Sequence, residues 1–284
     1  MKKSKAPAVK QIAVILRGKP RTWNWTKTHI FRTIEMMFGN ELDWYVAFWE
    51  STTVTEDSIF QDFEGRNLKS FDFIKENSYP IPVTNRVTDF NTVSRPDSYW
   101  RLAYLDQFLG YKKSKVELSE NKIYDLVIFI RSDVLWVING DYINRSNQKN
   151  LKMDPFKISS DMYENHELDF EICNDSIYVV HSLTADIIMC RFFDTFITDF
   201  KKQLCHIVPE RALTAYLQRN GVTSSHHAYL NHHLNNYHYI RPNMCGKNYN
   251  FIQDHTPWLD CNEEEKKEHC IRCGIDYEDY GLKK

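Results

Sequence analysis

Long apolar runs are missing from this sequence of 284 residues, and no stretch approaches the roughly 20 apolar residues that a membrane-spanning helix needs. The basic N-terminus is followed by the apolar run Ile12–Leu16, which is too short for the core of a signal peptide. We therefore expect a cytoplasmic protein with no transmembrane segment, and peripheral contact with a membrane stays open.

An excess of positive charge is also missing. Lys and Arg number 36 against 38 Asp and Glu, which gives a formal net charge of −2. Because binding to a nucleic-acid backbone draws on a strongly basic surface, we expect no nucleic-acid partner. A local basic site for a single diphosphate is still compatible with this charge.

A glycine-rich phosphate loop is the third missing feature. The segment RGKPRTW, residues 17–23, follows the first predicted strand and contains one glycine. It matches neither GxxxxGKS/T nor GxGxxG, the two patterns whose backbone amides cradle phosphates. The sequence therefore disfavours a P-loop enzyme and a dinucleotide-binding enzyme.

Cysteine is present in an odd number, seven, without a secretion signal. The simplest prediction is that these residues are free thiols in a reducing compartment. The alternative is a structural zinc site near the C-terminus, where Cys261, His269, Cys270 and Cys273 are clustered and Cys245 could add a ligand.

Three short runs rich in apolar residues predict buried strands at Ile12–Leu16, Tyr45–Trp49 and Leu126–Ile130. A helix that is opened by Pro20 and ended by Gly39 separates the first two runs. This β–α–β order predicts parallel neighbouring strands covered by helices. We therefore predict an α/β protein of Rossmann-like character, with a mixed, mostly parallel sheet flanked by helices and these three strands adjacent at its centre.

The remaining segments alternate between polar stretches and amphipathic ones. We expect a long surface excursion at about 52–97, helices at 98–114, 183–200 and 209–222, and a further strand at 172–182.

Polar groups follow each of the three central strands. They are Arg17 and Gly18 after the first, Glu50 and Ser51 after the second, and the tripeptide Arg131–Ser132–Asp133 after the third. Ligands of open α/β sheets bind beyond the carboxyl ends of the strands. If the strands are parallel neighbours, these groups converge on one edge of the sheet and form a site there.

Arg131 and Asp133 alternate along the chain, so their side chains point to the same face. A carboxylate in this position can hold a divalent cation or a ribose hydroxyl, and the arginine can grip a phosphate with two hydrogen bonds. The alternative is an internal ion pair that closes the end of the strand.

Four blocks of the sequence carry a resemblance to a known family. They are IAVILRGKPRTW, DWYVAFWES, SYWRLAYLDQF followed by YDLVIFIRSDVLW, and NDSIYVVHSLTAD. In this order they resemble a group of GT-A-type glycosyltransferases that build bacterial or viral surface polysaccharides. That group carries R-x-D where many GT-A enzymes have the metal-binding D-x-D, and Ser132 fills the middle position here.

The resemblance implies a domain organisation and an activity. It implies a GT-A-like nucleotide-sugar-binding and catalytic domain at 11–222. The polar, basic composition of residues 1–10 predicts a disordered lead-in, and the many aromatic residues of 223–284 predict a C-terminal extension that packs on the acceptor side. The implied reaction moves a sugar from a nucleotide-sugar donor to a glycan or other hydroxyl acceptor. The implied location is the cytoplasm of a bacterium or of a virus-infected host cell.

The resemblance also implies the residues that contact the donor. The predicted nucleotide-sugar ligands are Arg17, Gly18, Arg21, Arg101, Arg131 and Asp133. Asp133 is in addition the predicted ligand of Mg²⁺ or Mn²⁺, and the R-x-D motif leaves metal dependence open. Metal or arginine at this position would stabilise negative charge on the departing nucleoside diphosphate.

An inverting transfer also uses a carboxylate to take the proton of the acceptor hydroxyl. The predicted candidates are Asp175, just before a strand, and Glu210, at a helix N-terminus where capping is the other explanation. Two other functions stay open. One is a catalytically inactive sugar-binding module that stacks sugars on its aromatic residues, and the other is a nucleotidyltransferase on a similar α/β sheet.

Overall fold

A computed structural model of the chain describes residues 11–20, 22–52, 54–78, 87–89, 92–94, 96–137, 170–173, 177–201, 209–222, 236–241, 244–246, 255–256 and 264. The predicted lead-in at 1–10 and most of the predicted extension at 223–284 lie outside these residues.

The described strands and helices are numbered here in chain order. The strands are β1 (Ile12–Gly18), β2 (Leu42–Trp49), β3 (Asn67–Ile74), β4 (Val87–Asp89), β5 (Thr92–Ser94), β6 (Leu126–Arg131), β7 (Val134–Val137), β8 (Phe170–Cys173), β9 (Ile177–His181), β10 (Asn236–Arg241), β11 (Met244–Gly246) and β12 (His255–Thr256). The helices are α1 (Trp23–Phe38), α2 (Glu56–Asp62), α3 (Pro96–Glu120), α4 (Ser182–Ile187), α5 (Phe193–Lys201) and α6 (Pro209–Arg219), with a 3₁₀ turn at Glu76–Ser78 and a π-helical segment at Ile188–Phe192.

The main sheet has six strands in the order β3-β2-β1-β6-β9-β8. The first four run parallel to one another, whereas β9 is antiparallel to β6 and β8 is antiparallel to β9. The prediction of an α/β fold with a mixed, mostly parallel sheet is therefore confirmed. The three predicted central strands are β1, β2 and β6, and they are adjacent as expected.

The central strands are apolar along most of their length, as expected for strands that helices cover on both faces of the sheet. In β1 all seven residues are buried. Residues 12, 14 and 16 pack with α1 on one face, and residues 13 and 15 pack with α3 on the other. The two-residue period of a strand thus divides the protein into two apolar cores.

The helices agree with their predicted positions, with two differences: α1 begins at Trp23, with Thr22 as its N-cap, and not at Pro20, and α3 is longer than predicted. Helix α1 ends where expected, because Gly39 adopts a φ of +85° and its N–H donates to the carbonyl of Glu35. Helix α3 continues to Glu120, beyond the predicted end at residue 114. The predicted helix at 183–200 is continuous through its π-helical segment, and α6 corresponds to the predicted helix at 209–222.

One predicted element was wrong. The segment 52–97, expected to be a surface excursion, contains α2 and the edge strand β3. Strand β3 is only partly buried, so its residues alternate between apolar and polar and do not form an apolar run. The predicted strand at 172–182 is confirmed by β9, whereas residues 172 and 173 belong to a separate strand, β8, which pairs antiparallel with β9.

Part of the segment after residue 222 joins a second sheet, of order β12-β11-β10-β7. Strand β10 pairs antiparallel with β7, which begins directly after Asp133. This places β10 beside the chain that leaves the carboxyl end of β6. The role of the extension on the acceptor side stays a prediction.

Candidate functional site

The carboxyl ends of β1, β2 and β6 meet at one edge of the main sheet. In the parallel register Arg17 lies beside Ala47 on one side and beside Arg131 on the other. The polar groups that follow these strands are therefore brought together, as the strand order predicted.

The turn after β6 is fastened to the loop after β1. The N–H of Ser132 donates to the carbonyl of Arg17 at 3.1 Å, and its hydroxyl donates to the carbonyl of Lys19 at 3.0 Å. The hydroxyl of Thr26 in α1 donates to the carbonyl of Ser132 at 2.6 Å. Gly18 permits this approach, because it has a φ of +132° and a Cβ at this position would lie 3.0 Å from the Ser132 hydroxyl oxygen.

Arg131 and Asp133 form an ion pair across this turn. The guanidinium donates through Nε to Oδ1 at 2.9 Å and through Nη2 to Oδ2 at 3.1 Å. The two side chains are 14% and 5% exposed. The ion pair that the sequence left as an alternative is thus formed, and the contact of Asp133 with a donor stays a prediction.

The side chain of Arg17 is buried beneath the site. Its Nε lies 2.5 Å from Oδ1 of Asp106 in α3, and its Nη2 donates to the Tyr178 hydroxyl at 2.8 Å. The Tyr178 hydroxyl in turn donates to Oδ2 of Asp106 at 3.0 Å. Because the guanidinium is enclosed here, the predicted donor contact of this loop would have to come from its backbone.

Burial changes the acidity of this triad. Desolvation raises the pKa of the Asp106 carboxyl to about 6, against the opposing effects of the Arg17 guanidinium and the Tyr178 hydroxyl. Desolvation also raises the pKa of the Tyr178 phenol well above its ordinary value. The sequence analysis missed Asp106, although an acidic residue within the apolar face of SYWRLAYLDQF was a signal.

A second group of charges surrounds Glu76, just beyond β3. Lys19 forms an ion pair with one carboxylate oxygen, and Nη1 of Arg101 lies 3.6 Å from the other. The Lys19 hydrogen bond holds the pKa of the Glu76 carboxyl below its ordinary value. The Arg101 guanidinium also lies over the ring of Trp49, at 5.2 Å from the ring centroid. Arg101 was predicted as a site residue, whereas Lys19 and Glu76 were missed.

A cavity of about 810 Å³ opens at the same edge of the sheet. It lies past the ends of β1, β2 and β3 and is lined by Lys19, Pro20, Glu50, Ser51, Thr52, Glu56 and Phe73. Its described lining combines the aromatic ring of Phe73, the carboxylates of Glu50 and Glu56 and the ammonium group of Lys19. The volume and the lining side chains of this cavity suit a nucleoside or a sugar.

Metal ligands were predicted at the same turn. Both oxygens of Asp133 contact the Arg131 guanidinium, and the described residues hold no group of three or more His, Cys, Asp or Glu side chains placed for a metal ion. The described part of the site therefore does not supply a complete ligand set.

Several predicted residues lie outside the described part of the chain. Arg21 and Asp175 are among them, as are Cys261, His269, Cys270 and Cys273. Glu210 occupies the second position of α6, and only its backbone is described. In the described residues, no helix has the length and apolarity needed to cross a membrane.

The comparisons with known proteins include a distant structural likeness to a solved glycosyltransferase. No protein-family model matches this sequence, and no curated protein matches it either. The apo form of the glycosyltransferase GlyE from Streptococcus pneumoniae TIGR4 is similar to this chain with 9% sequence identity and a TM-score of 0.35. The match covers 76% of this chain and 45% of GlyE, so this chain spans less than half the length of that protein. The α/β assignment therefore rests on the strand order and register described above.

Proposed function

We propose that this protein is a glycosyltransferase that moves a sugar from a nucleotide-sugar donor to the hydroxyl group of a glycan or other acceptor. The observation that carries the proposal lies at the carboxyl edge of a mostly parallel sheet, where Lys19 lines a cavity of about 810 Å³ and shares Glu76 with Arg101. The Ser132 hydroxyl between Arg131 and Asp133 donates to the carbonyl of Lys19, so this ion pair adjoins the same edge. Ligands of open α/β sheets bind at this edge.

The charges at the edge suit a diphosphate. Lys19 and Arg101 both contact Glu76, and Arg131 contacts Asp133. Because the carboxylates of Glu50 and Glu56 line the adjoining cavity, a diphosphate would lie on the side of Lys19 and Arg101, whose positive charges can contact it without a strongly basic surface. In the proposed reaction these side chains stabilise the charge that develops on the leaving nucleoside diphosphate.

A divalent cation has a defined place in this proposal. Mg²⁺ or Mn²⁺ would supply further charge stabilisation at the diphosphate, with Asp133 as the ligand from this chain. To bind a cation, Asp133 would have to give up part of its contact with Arg131. The proton of the acceptor hydroxyl would be taken by Asp175 or Glu210, as the resemblance of the sequence suggests.

The first experiment identifies the donor and separates the candidate functions. Thermal unfolding is measured with UDP-, GDP-, CMP- and dTDP-sugars, with and without Mn²⁺. A ligand at about 100 times its Kd should stabilise the fold by about 2.7 kcal/mol. Hydrolysis of the bound donor without acceptor indicates a transferase, whereas binding without turnover indicates an inactive sugar-binding module. Formation of a nucleotide-sugar and pyrophosphate from a nucleoside triphosphate and a sugar phosphate indicates a nucleotidyltransferase.

The second experiment replaces Asp133 with Asn, which keeps the size of the side chain and removes its charge. If Asp133 contacts the donor, we expect a folded variant whose transfer rate falls by at least about 100-fold. Asp194→Asn is the matched control, because Asp194 is exposed on α5 and away from the strand ends. Near-normal transfer by folded Asp133→Asn would contradict the site assignment.

A further inference from the structure

The cavity at the strand ends is unevenly charged. Glu50 and Glu56 both line it, and Lys19, the one cation among its described lining residues, is already paired with Glu76. Two carboxylates repel phosphate, so the part of the cavity near Glu50 does not suit the diphosphate of a donor. It suits a group that presents N–H or O–H donors. If the diphosphate lies towards Lys19 and Arg101, this part is left for the base and ribose.

Glu50 occupies a fixed position in this part of the cavity. Its N–H donates to the carbonyl of Ile74 at 2.9 Å, which extends the ladder between β2 and β3 by one residue. Phe73 lies beside Phe48 in the register of these strands, and Glu50 follows Phe48 by two residues. Glu50 and Phe73 therefore share one face of the sheet, and both line the cavity.

The carboxylate of Glu50 is free to accept hydrogen bonds. It is exposed, and no hydrogen bond or ion pair joins it to another side chain in the described ranges. The ring of Phe73 is half-buried against the apolar core and lies next to Phe71, with their centroids 4.9 Å apart. The cavity is therefore lined by an aromatic ring and by a carboxylate with two acceptor oxygens.

We propose that this cavity is a base pocket selective for guanine, with the base stacked on Phe73 and its edge on Glu50. Guanine presents two adjacent donors, N1–H and the N2 amino group, which match the two oxygens of a carboxylate. Adenine and cytosine place an acceptor nitrogen beside their amino group, and uracil and thymine have one N–H between two carbonyl oxygens. The proposal rests on the proposed function, and it makes the donor a GDP-sugar.

The experiment measures the affinities of GDP, IDP, UDP, CDP and ADP by titration calorimetry. IDP keeps N1–H and lacks the N2 amino group, so it isolates one hydrogen bond to Glu50. The wild-type protein should bind GDP at least about tenfold more tightly than IDP or the other nucleotides. In Glu50→Gln the GDP affinity should fall by about tenfold or more, and the GDP to IDP ratio should shrink to about twofold.

Two further variants act as controls. Asp57→Asn removes a carboxylate that is exposed in the first turn of α2 and does not line the cavity, so it should leave all affinities unchanged. Phe73→Leu should weaken the binding of every nucleotide by a similar factor and preserve the ratio of GDP to IDP affinity, because stacking does not depend on the edge of the base.

The possible outcomes separate this inference from the proposed function. Tighter binding of UDP, CDP or ADP than of GDP would overturn the guanine assignment and leave the glycosyltransferase proposal standing. An unchanged GDP to IDP ratio in folded Glu50→Gln would overturn the role of Glu50 in the same way. Absence of binding by all five nucleotides would overturn both proposals.

Discussion

At the scale of single residues, the most unusual feature is the charged triad of Arg17, Asp106 and Tyr178 inside the apolar core. Arg17 is 1% exposed and lies over the rings of Phe129 and Tyr178, with centroids at 5.5 and 5.0 Å. A buried guanidinium stays charged, so its partner carboxylate is required to offset the cost of burial. The triad thus fixes the end of β1 directly beneath the candidate site.

Replacing one charged member of this triad should lower the free energy of unfolding more than replacing all three residues. In Arg17→Met the buried Asp106 carboxylate loses its counter-ion, and we expect the free energy of unfolding at pH 7 to fall by about 3–5 kcal/mol. The triple variant Arg17→Met, Asp106→Leu, Tyr178→Phe leaves no buried charge and should recover most of that loss. Urea unfolding measures both values, and a triple variant less stable than Arg17→Met would contradict this account.

The triad should also give stability a defined pH dependence. The pKa of Asp106 is about 6 in the folded protein against an ordinary value of 3.8, so between these values the folded state holds the extra proton. Its contribution to the free energy of unfolding therefore decreases as the pH rises through this window. Relative to the triple variant, the wild-type protein should lose about 2 kcal/mol of stability between about pH 4.5 and about pH 7. Urea unfolding measures the free energy of unfolding of both proteins at the two pH values. A difference between the two proteins that is the same at both pH values would contradict the assignment.

At the scale of secondary-structure elements, α3 is held closely against the π-helical segment Ile188–Phe192. A Cβ on Gly110 of α3 would lie 2.5 Å from the Cβ of Met189 in that segment. Real Cβ atoms do not approach so closely, so Gly110 is needed for this helix contact. The contact in turn places Arg101 and Asp106, on the same helix, against the strand ends.

Gly110→Ala should therefore destabilise the protein, although alanine favours helix by about 1 kcal/mol over glycine. The added methyl group has to separate the backbones of α3 and the π-helical segment, and overpacking of this kind costs about 1–3 kcal/mol. Ser114→Ala, one turn further along α3, is the control and should be neutral or slightly stabilising. The urea midpoints of the two variants test this prediction. A Gly110→Ala variant that is more stable than the wild-type protein would show that α3 and the π-helical segment can separate without loss of stability.

At the scale of the whole molecule, the sheet order determines which backbone groups are most protected. Strands β1 and β6 have a hydrogen-bonded neighbour on each side, whereas β3 and β8 are at the edges of the six-stranded sheet. The candidate site lies at the carboxyl ends of the most protected strands. Ligand sites are usually formed by loops that a rigid scaffold of strands and helices holds in position.

Hydrogen exchange should reflect this order. Amides of β1 and β6 should exchange more slowly than those of β3 and β8 by about tenfold or more, because edge strands open without disturbing the rest of the sheet. Addition of the nucleotide-sugar that stabilises the fold should slow exchange at 17–20 and 49–52 and leave the amino ends of the strands, near residues 42 and 126, unchanged. Exchange followed by mass spectrometry tests both statements, and protection confined to the amino ends would place the ligand elsewhere.

The sequence by itself determined the central part of the fold. The runs Ile12–Leu16, Tyr45–Trp49 and Leu126–Ile130 are apolar because both faces of their strands are covered, and that burial is visible in each run alone. The β–α–β order and the handedness of such connections made the strands parallel neighbours, and this brought their polar ends to one edge. Half-buried β3 carried no comparable signal and was missed.

Only the tertiary structure decided which side chains meet at that edge. Arg17 pairs with Asp106 and Tyr178, and Lys19 and Arg101 share Glu76, although these partners are far apart in the chain. Local periodicity shows whether a position is buried, but the partner of a buried charge depends on how helices and strands from distant segments pack. The same reason explains why Glu50 and Phe73 face one cavity: two neighbouring strands align them, and neither strand contains that information alone.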